Sequence, residues 1–266
     1  MIAPEIIDHI LSFLKSESDY STLETCSTVF PQIVDRLLYS RICFRTPIFN
    51  GEDPKLDDDE GQFYAPPFAD FIAKTTQRPC ILDSVIHVRV VITVFRARLN
   101  NRPVVLLPMI SVLLPIFLKL QSIDLRASEA FPWTTLGPDF AAAVQKCLRS
   151  PLINQASISN IQGFPLDLFD DCKNLKKLTL NGRFTGSSTT SSSPPLSSLR
   201  IVIIDKEPVI PLPKIVSWMN SCTLQFLSLL VYQPRMTLDL RPLIEACSPT
   251  LLSLELDTMT SREIQN

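Results

Sequence analysis

Cys172-Lys173-Asn174-Leu175-Lys176-Lys177-Leu178-Thr179-Leu180 is the plainest copy of a unit that recurs through most of this chain. Leu178 and Leu180 flank Thr179, so both leucines fall on one side of a strand, with Leu175 leading in. The same aliphatic spacing follows Cys80 as Val85, Val88 and Val90, and Cys147 as Ile153, Ala156 and Ile158. It follows Cys222 as Leu224, Leu227 and Leu229, and Cys247 as Leu251, Leu254 and Leu256. Two further copies, Leu120-Ile123-Leu125 and Leu196-Leu199-Ile201, lack the cysteine. A helical pattern precedes each cysteine and starts near a proline: Pro67, Pro138, Pro165, Pro213 and Pro242. Proline in the first turn of a helix costs nothing, because its missing N–H has no partner there anyway. Cysteine serves as a small buried hydrophobe at the corner between helix and strand. Stacked helix–strand units of this kind share one continuous core.

The strand positions at 85, 120, 153, 175, 196, 224 and 251 are separated by 35, 33, 22, 21, 28 and 27 residues. The shorter steps match the roughly 20–29 residues of leucine-rich repeats. The units resemble leucine-rich repeats of a degenerate kind, with Ser128, Arg183 and Met259 where that family usually places asparagine. The resemblance implies an α/β solenoid over residues 66–266. Thr185 to Ser198 is a Ser/Thr/Pro run standing in place of a helix, and is expected to be a flexible loop over 185–198 with a candidate phosphorylation site. No polar capping unit follows Leu251–Leu256, so the last unit is expected either to lie open or to belong to a truncated form.

The first 45 residues read differently. Ile7, Ile10, Leu11 and Leu14 form one helical stripe, with Pro4 in the first turn and Glu5 and Asp8 near the positive end of the dipole. Ser21-Thr22-Leu23-Glu24 fits a capping box for a second helix carrying Leu23, Cys26 and Val29. Phe30-Pro31 ends it, and Ile33, Val34, Leu37 and Leu38 mark a third helix. The order Pro4-Glu5-Ile6-Ile7, then Cys26-Ser27-Thr28-Val29, then Leu37-Leu38-Tyr39 resembles the F-box of fungal F-box proteins. Ala3 stands where that family opens on leucine, and Phe30 and Ile33 where it often carries tryptophan. The resemblance implies a small three-helix F-box-like module at 1–45, too small to bury its own aliphatics. It implies that Pro4, Ile7, Ile10, Leu11, Leu14, Leu23, Val29 and Leu38 bind the adaptor subunit of an SCF-type cullin–RING ubiquitin ligase. The chain is then a substrate-recruiting subunit that does no chemistry itself, its repeat domain holding an unknown target protein. The alternative is a repeat-based protein-interaction scaffold with no ubiquitin role.

The rest of the chain narrows the function classes. Residues 46–65 are an acidic linker whose Glu52, Asp53, Asp57, Asp58, Asp59 and Glu60 lack the EF-hand order. The 266 residues carry net charge −2 with an isoelectric point near 5.8, which offers no broad basic field for nucleic acid. Only 6 glycines are present against 22 prolines, and no phosphate-cradling glycine loop occurs. His9 and His87 have no cysteine or carboxylate at ligand spacing, so neither a metal nor a cofactor is expected. Val104 to Leu118 is apolar but short for a membrane span, and contains Pro108 and Pro115. Seven cysteines with no signal peptide point to reduced thiols in an intracellular setting, cytoplasmic or nuclear.

Overall fold

A computed structural model describes residues 31–45, 63–93, 106–187, 192–203, 211–231 and 240–258. The seven aliphatic triplets become the strands β2 (His87–Ile92), β3 (Ser122–Pro132), β4 (Gln155–Gln162), β6 (Lys177–Asn181), β8 (Ser198–Ile203), β9 (Phe226–Val231) and β10 (Ser253–Thr258), and β1 (Arg41–Arg45) precedes them. They form one eight-stranded sheet whose spatial order is the chain order, and every pairing is parallel. Two short strands, β5 (Phe164–Pro165) and β7 (Phe184–Thr185), pair beside it. The helices are α1 (Pro31–Leu38), α2 (Phe68–Gln77), α3 (Leu106–Leu113), α4 (Pro138–Leu148), α5 (Leu212–Met219) and α6 (Arg241–Cys247).

A repeated hydrogen-bond device sets the register. The Ser40 carbonyl accepts from the N–H groups of both Ile86 and His87, and the Ile86 carbonyl accepts from Gln121 and Ser122. The carbonyls of Gln121, Asn154, Lys176, Ser197 and Gln225 each take two successive N–H groups of the next unit in the same way, at 2.8–3.2 Å. Each strand therefore starts level with the one before, and alternate side chains line up in rows. Ile42, Val88, Ile123, Ala156, Leu178, Leu199, Leu227 and Leu254 form one row; Phe44, Val90, Leu125, Ile158, Leu180, Ile201, Leu229 and Leu256 form the other. As far as β9 both rows are buried in a single core with Phe71, Ile110, Val144, Phe169 and Trp218 from the return segments.

The expected arrangement, a separate three-helix module at 1–45 followed by a leucine-rich-repeat-like solenoid, is corrected by this sheet. Residues 31–45 belong to it. Val34, Leu38 and Tyr39 are buried in the common core, Tyr39 lies 5.9 Å from Phe71, and Arg78 pairs with Asp35 at 3.0 Å. Burial, opposed by the Arg78 and Lys74 charges, lifts the Asp35 pKa above its usual value. β1 is a short apolar run, Ile42-Cys43-Phe44, buried at all three positions between Arg41 and Arg45, and it belongs to none of the repeated units. The return segments are also unlike one another: eight to eleven residues of helix at α3 and α4, but only a 3-10 turn, Leu166–Phe169, between β4 and β6. Residues 1–30 and most of the acidic linker lie outside the described residues.

A buried ion cluster stitches the irregular middle. Lys214 on α5 is fully buried; its Nζ donates to Asp167 Oδ1 and, at 2.7 Å, to Asp170 Oδ2. Trp218 Nε1 donates to the other Asp170 oxygen at 2.9 Å. Ser187 donates through N–H and Oγ to Asp167, and Ser192 Oγ donates to the Asp170 carbonyl. Ser187 and Ser192, on the two described sides of the Ser/Thr/Pro run, thus rest on Asp167 in the turn Leu166–Phe169 and on Asp170 just after it. Gly186 lies close to this cluster: a Cβ there would stand 3.2 Å from the Lys214 Cδ, a tight contact. Partial burial works to raise the Asp167 pKa, but the Lys214 ammonium and the Ser187 donors outweigh it and hold the carboxyl below its usual range.

The core rows make a direct prediction. Leu180 is central and fully buried, so Leu180→Ala should cost about 2–5 kcal/mol in urea unfolding. Lys177→Ala, at an exposed position three residues earlier, should stay within about 0.5 kcal/mol of the parent.

Candidate interaction surface

The residues between the core leucines form the other face of the sheet. From β1 to β10 one row reads Cys43, Arg89, Asp124, Ser157, Thr179, Arg200, Ser228 and Glu255; the next reads Arg45, Val91, Arg126, Ser159, Asn181, Val202, Leu230 and Asp257. Over β2 and β3 this face is closed. Arg89 Nε donates to Asp124 Oδ2 at 2.8 Å, and Arg126 Nε donates to the same oxygen at 2.8 Å. The Phe63 ring covers the Arg89 guanidinium at 4.0 Å, a cation–π contact in a desolvated setting. Arg89 and Asp124 are buried and Arg126 is a quarter exposed, so two guanidinium groups share one carboxylate.

From β4 to β8 the face opens. Ser157, Ser159, Thr179 and Asn181 are half-buried, with Lys177 and Arg200 exposed beside them. The Asn181 Oδ1 is buried and accepts no hydrogen bond among the described residues. The strip offers hydroxyls, an amide and cations held on rigid strands, which suits polar recognition of another chain. His87 titrates low because burial, and then the Arg41 charge, disfavour its cation, so it is neutral at pH 7. No group of His, Cys, Asp and Glu capable of holding a metal occurs among the described residues. No helix among them is long and apolar enough to cross a membrane. The Val104–Leu118 stretch instead gives α3 and the 3-10 turn Leu114–Ile116, with Leu107, Ile110, Leu114 and Phe117 buried and Met109, Val112, Ile116 and Leu118 facing outward.

Of the residues expected to bind an adaptor, Pro4, Ile7, Ile10, Leu11, Leu14, Leu23 and Val29 lie outside the described residues. Leu38 lies at the end of α1, 2% exposed and packed in the chain's own core. The polar strip was absent from the sequence-based site set. Its signal was the residue enclosed by each aliphatic pair: Ser157, Thr179, Arg200 and Ser228 are all polar.

The described cysteines are free thiols. Burial pushes both Cys147 and Cys172 up to about 12; the Lys146 charge opposes this at Cys147, while Asp171 adds to it at Cys172. At pH 7.5 iodoacetamide should therefore label the exposed Cys80 and spare Cys147 and Cys172 until denaturant is added, as read by peptide mass spectrometry. For the ion cluster, Asp124→Ala leaves the buried Arg89 without its counter-charge and should cost about 3–5 kcal/mol in urea unfolding. Arg126→Ala removes the more exposed partner and should cost under about 1 kcal/mol. No family model, no curated protein and no solved structure matches this chain.

Proposed function

We propose that this chain is a substrate-recruiting F-box subunit of an SCF-type cullin–RING ubiquitin ligase. Residues 1–45 hold the adaptor subunit, and the open polar strip from β4 to β8 holds a target protein. The observation that carries the reading is this strip. Its donors and acceptors stand in register on rigid strands, and no nucleophile is paired with a base along it. Such a surface binds without reacting. The F-box-like order of Pro4 to Leu14 and Leu23 to Pro31 supplies the second partner. In this reading the chain has no catalytic role or cofactor, and works in the cytoplasm or nucleus, where free thiols persist.

One observation favours the second reading, a protein-interaction scaffold with no ubiquitin role. α1 and β1 lie within residues 1–45 and are built into the sheet, so that segment is structural as well. Deleting 1–45 therefore strips an edge strand and mixes the two readings. The cleaner test is the full chain against the triple variant Pro4→Ala, Ile7→Asp, Leu11→Asp, each co-purified with the recombinant adaptor. The proposal expects the parent to retain the adaptor and the variant to lose most of it, with the thermal melt unchanged. Equal recovery by both, or none by the parent, leaves only the scaffold.

A further inference from the structure

The two core-facing rows end abruptly. Every member as far as β9 is at most 2% exposed, yet Leu254 is 41% and Leu256 is 59% exposed on β10, and Leu252 just before it is 81% exposed. Among the described residues β10 pairs only with β9, so within them its outer edge presents backbone N–H and C=O groups without a sheet partner. The opposite edge is treated differently. Tyr64 forms a parallel bridge to Ile42, Cys43 N–H donates to the Tyr64 carbonyl at 2.8 Å, and Tyr64 N–H donates to the Arg41 carbonyl at 2.9 Å. Of the usual protections of an edge, β10 carries only the charges of Glu255 and Asp257. It keeps register with β9 over all six residues, with no bulge, proline or lysine. Its leucines alternate with the exposed Ser253, Glu255 and Asp257 on the outer face.

We propose that β10 accepts an extended segment of a partner protein as a ninth strand, one whose aliphatic side chains alternate with lysine or arginine. The partner's backbone satisfies the edge, its aliphatics flank Leu254 and Leu256, and its cations lie beside Glu255 and Asp257. The charges decide against a second copy of this chain. Antiparallel self-pairing about a two-fold axis, in the two registers that use nearly the whole strand, sets Glu255 against Glu255 or against Asp257. Like charges directly opposite are destabilising. Head-to-tail stacking of β10 on β1 meets Tyr64, which already occupies that edge. The inference rests on the sheet alone and stands apart from any role in ubiquitin transfer.

The test uses the full chain and a fluorescein-labelled peptide alternating lysine with valine over the length of β10. Fluorescence anisotropy should show binding, and hydrogen exchange should slow at the β10 amides. The double variant Glu255→Lys, Asp257→Lys should bind roughly tenfold more weakly, the effect of two partly screened ion pairs. The neutral pair Glu255→Gln, Asp257→Asn should fall between, and serves if the reversed variant melts early. A peptide alternating glutamate with valine should not bind. The proposal is overturned if charge reversal leaves affinity unchanged, if a block-ordered peptide of the same composition binds equally, or if protection appears away from β10. It is also overturned if an amphipathic helical peptide binds better, or if light scattering shows the parent to be a dimer that Leu256→Lys dissociates.

Discussion

The two-to-one hydrogen bond at the start of each strand is the constraint on which the rest of the molecule depends. One carbonyl, from Ser40 through to Gln225, takes two successive N–H groups of the following unit and fixes where its strand begins. A slip of one residue turns every aliphatic of a strand to the wrong face, so this small contact decides burial for the whole row. It also frees the segments between strands from any common length. The chain spends 22 residues from Asn154 to Lys176 and 35 from Ile86 to Gln121, yet both strands enter level. A parallel sheet needs a crossover at every step. Here the crossovers vary and the entry point does not.

That freedom leaves gaps, and the buried ions sit where the gaps are. Between β4 and β6 the return is a single 3-10 turn, too little to cover the sheet as a helix does. Lys214 reaches in from α5, Asp167 and Asp170 accept from its ammonium, and Trp218 donates to the other Asp170 oxygen. A buried ion pair adds little net stability over an apolar packing of the same volume, but it penalises every arrangement that separates the partners. The Lys214 cluster therefore selects how α5 sits against the turn, two strands back in the sheet. The Arg89–Asp124–Arg126 cluster does the same on the outer face, where Phe63 closes over it.

Much of the sheet was legible because a strand's period of two survives in composition: Leu178-Thr179-Leu180 states which side is buried without reference to anything distant. What covers that side was not legible. Leu37-Leu38-Tyr39 shows the same helical stripe whether the covering surface is another protein or the chain's own β1 and α2. Periodicity reports a buried face and is silent about its neighbour, so by sequence alone the first 45 residues look like a detached module. Ile42-Cys43-Phe44, an apolar run between two arginines, is too short to separate a buried strand from a buried helix turn by period alone, yet it is the strand that draws α1 into the core. The ion clusters were beyond reach for a different reason. Arg89 meets Asp124, and Lys214 meets Asp167, only once the register across 35 and 47 residues is known. The outer strip lay between these extremes: its residues are the polar ones enclosed by each aliphatic pair, visible in sequence but meaningless until the rows align.

The sheet is also uneven from end to end, and this bears on how it meets other molecules. Around β1 the core is aromatic. Phe44 contacts Phe68, Phe71 and Phe117 at ring separations of 5.3–6.4 Å, Tyr39 contacts Tyr64 and Phe71, and Tyr64 closes the edge. Large rings carry the greatest burial per residue and constrain one another's orientation. Around β10 the cover is thinner: α6 is only seven residues long and buries Leu243 and Cys247, while Leu252, Leu254 and Leu256 are exposed. Local opening free energies follow buried contact, and the exposed leucines of β10 make little of it. A binding strand that orders the looser end gains backbone pairing and apolar cover together, whereas the aromatic end offers neither. The asymmetry makes the parallel sheet directional in its chemistry: one edge is bridged by Tyr64 of its own chain, and the other, among the described residues, keeps unused hydrogen-bonding capacity with leucines beside it.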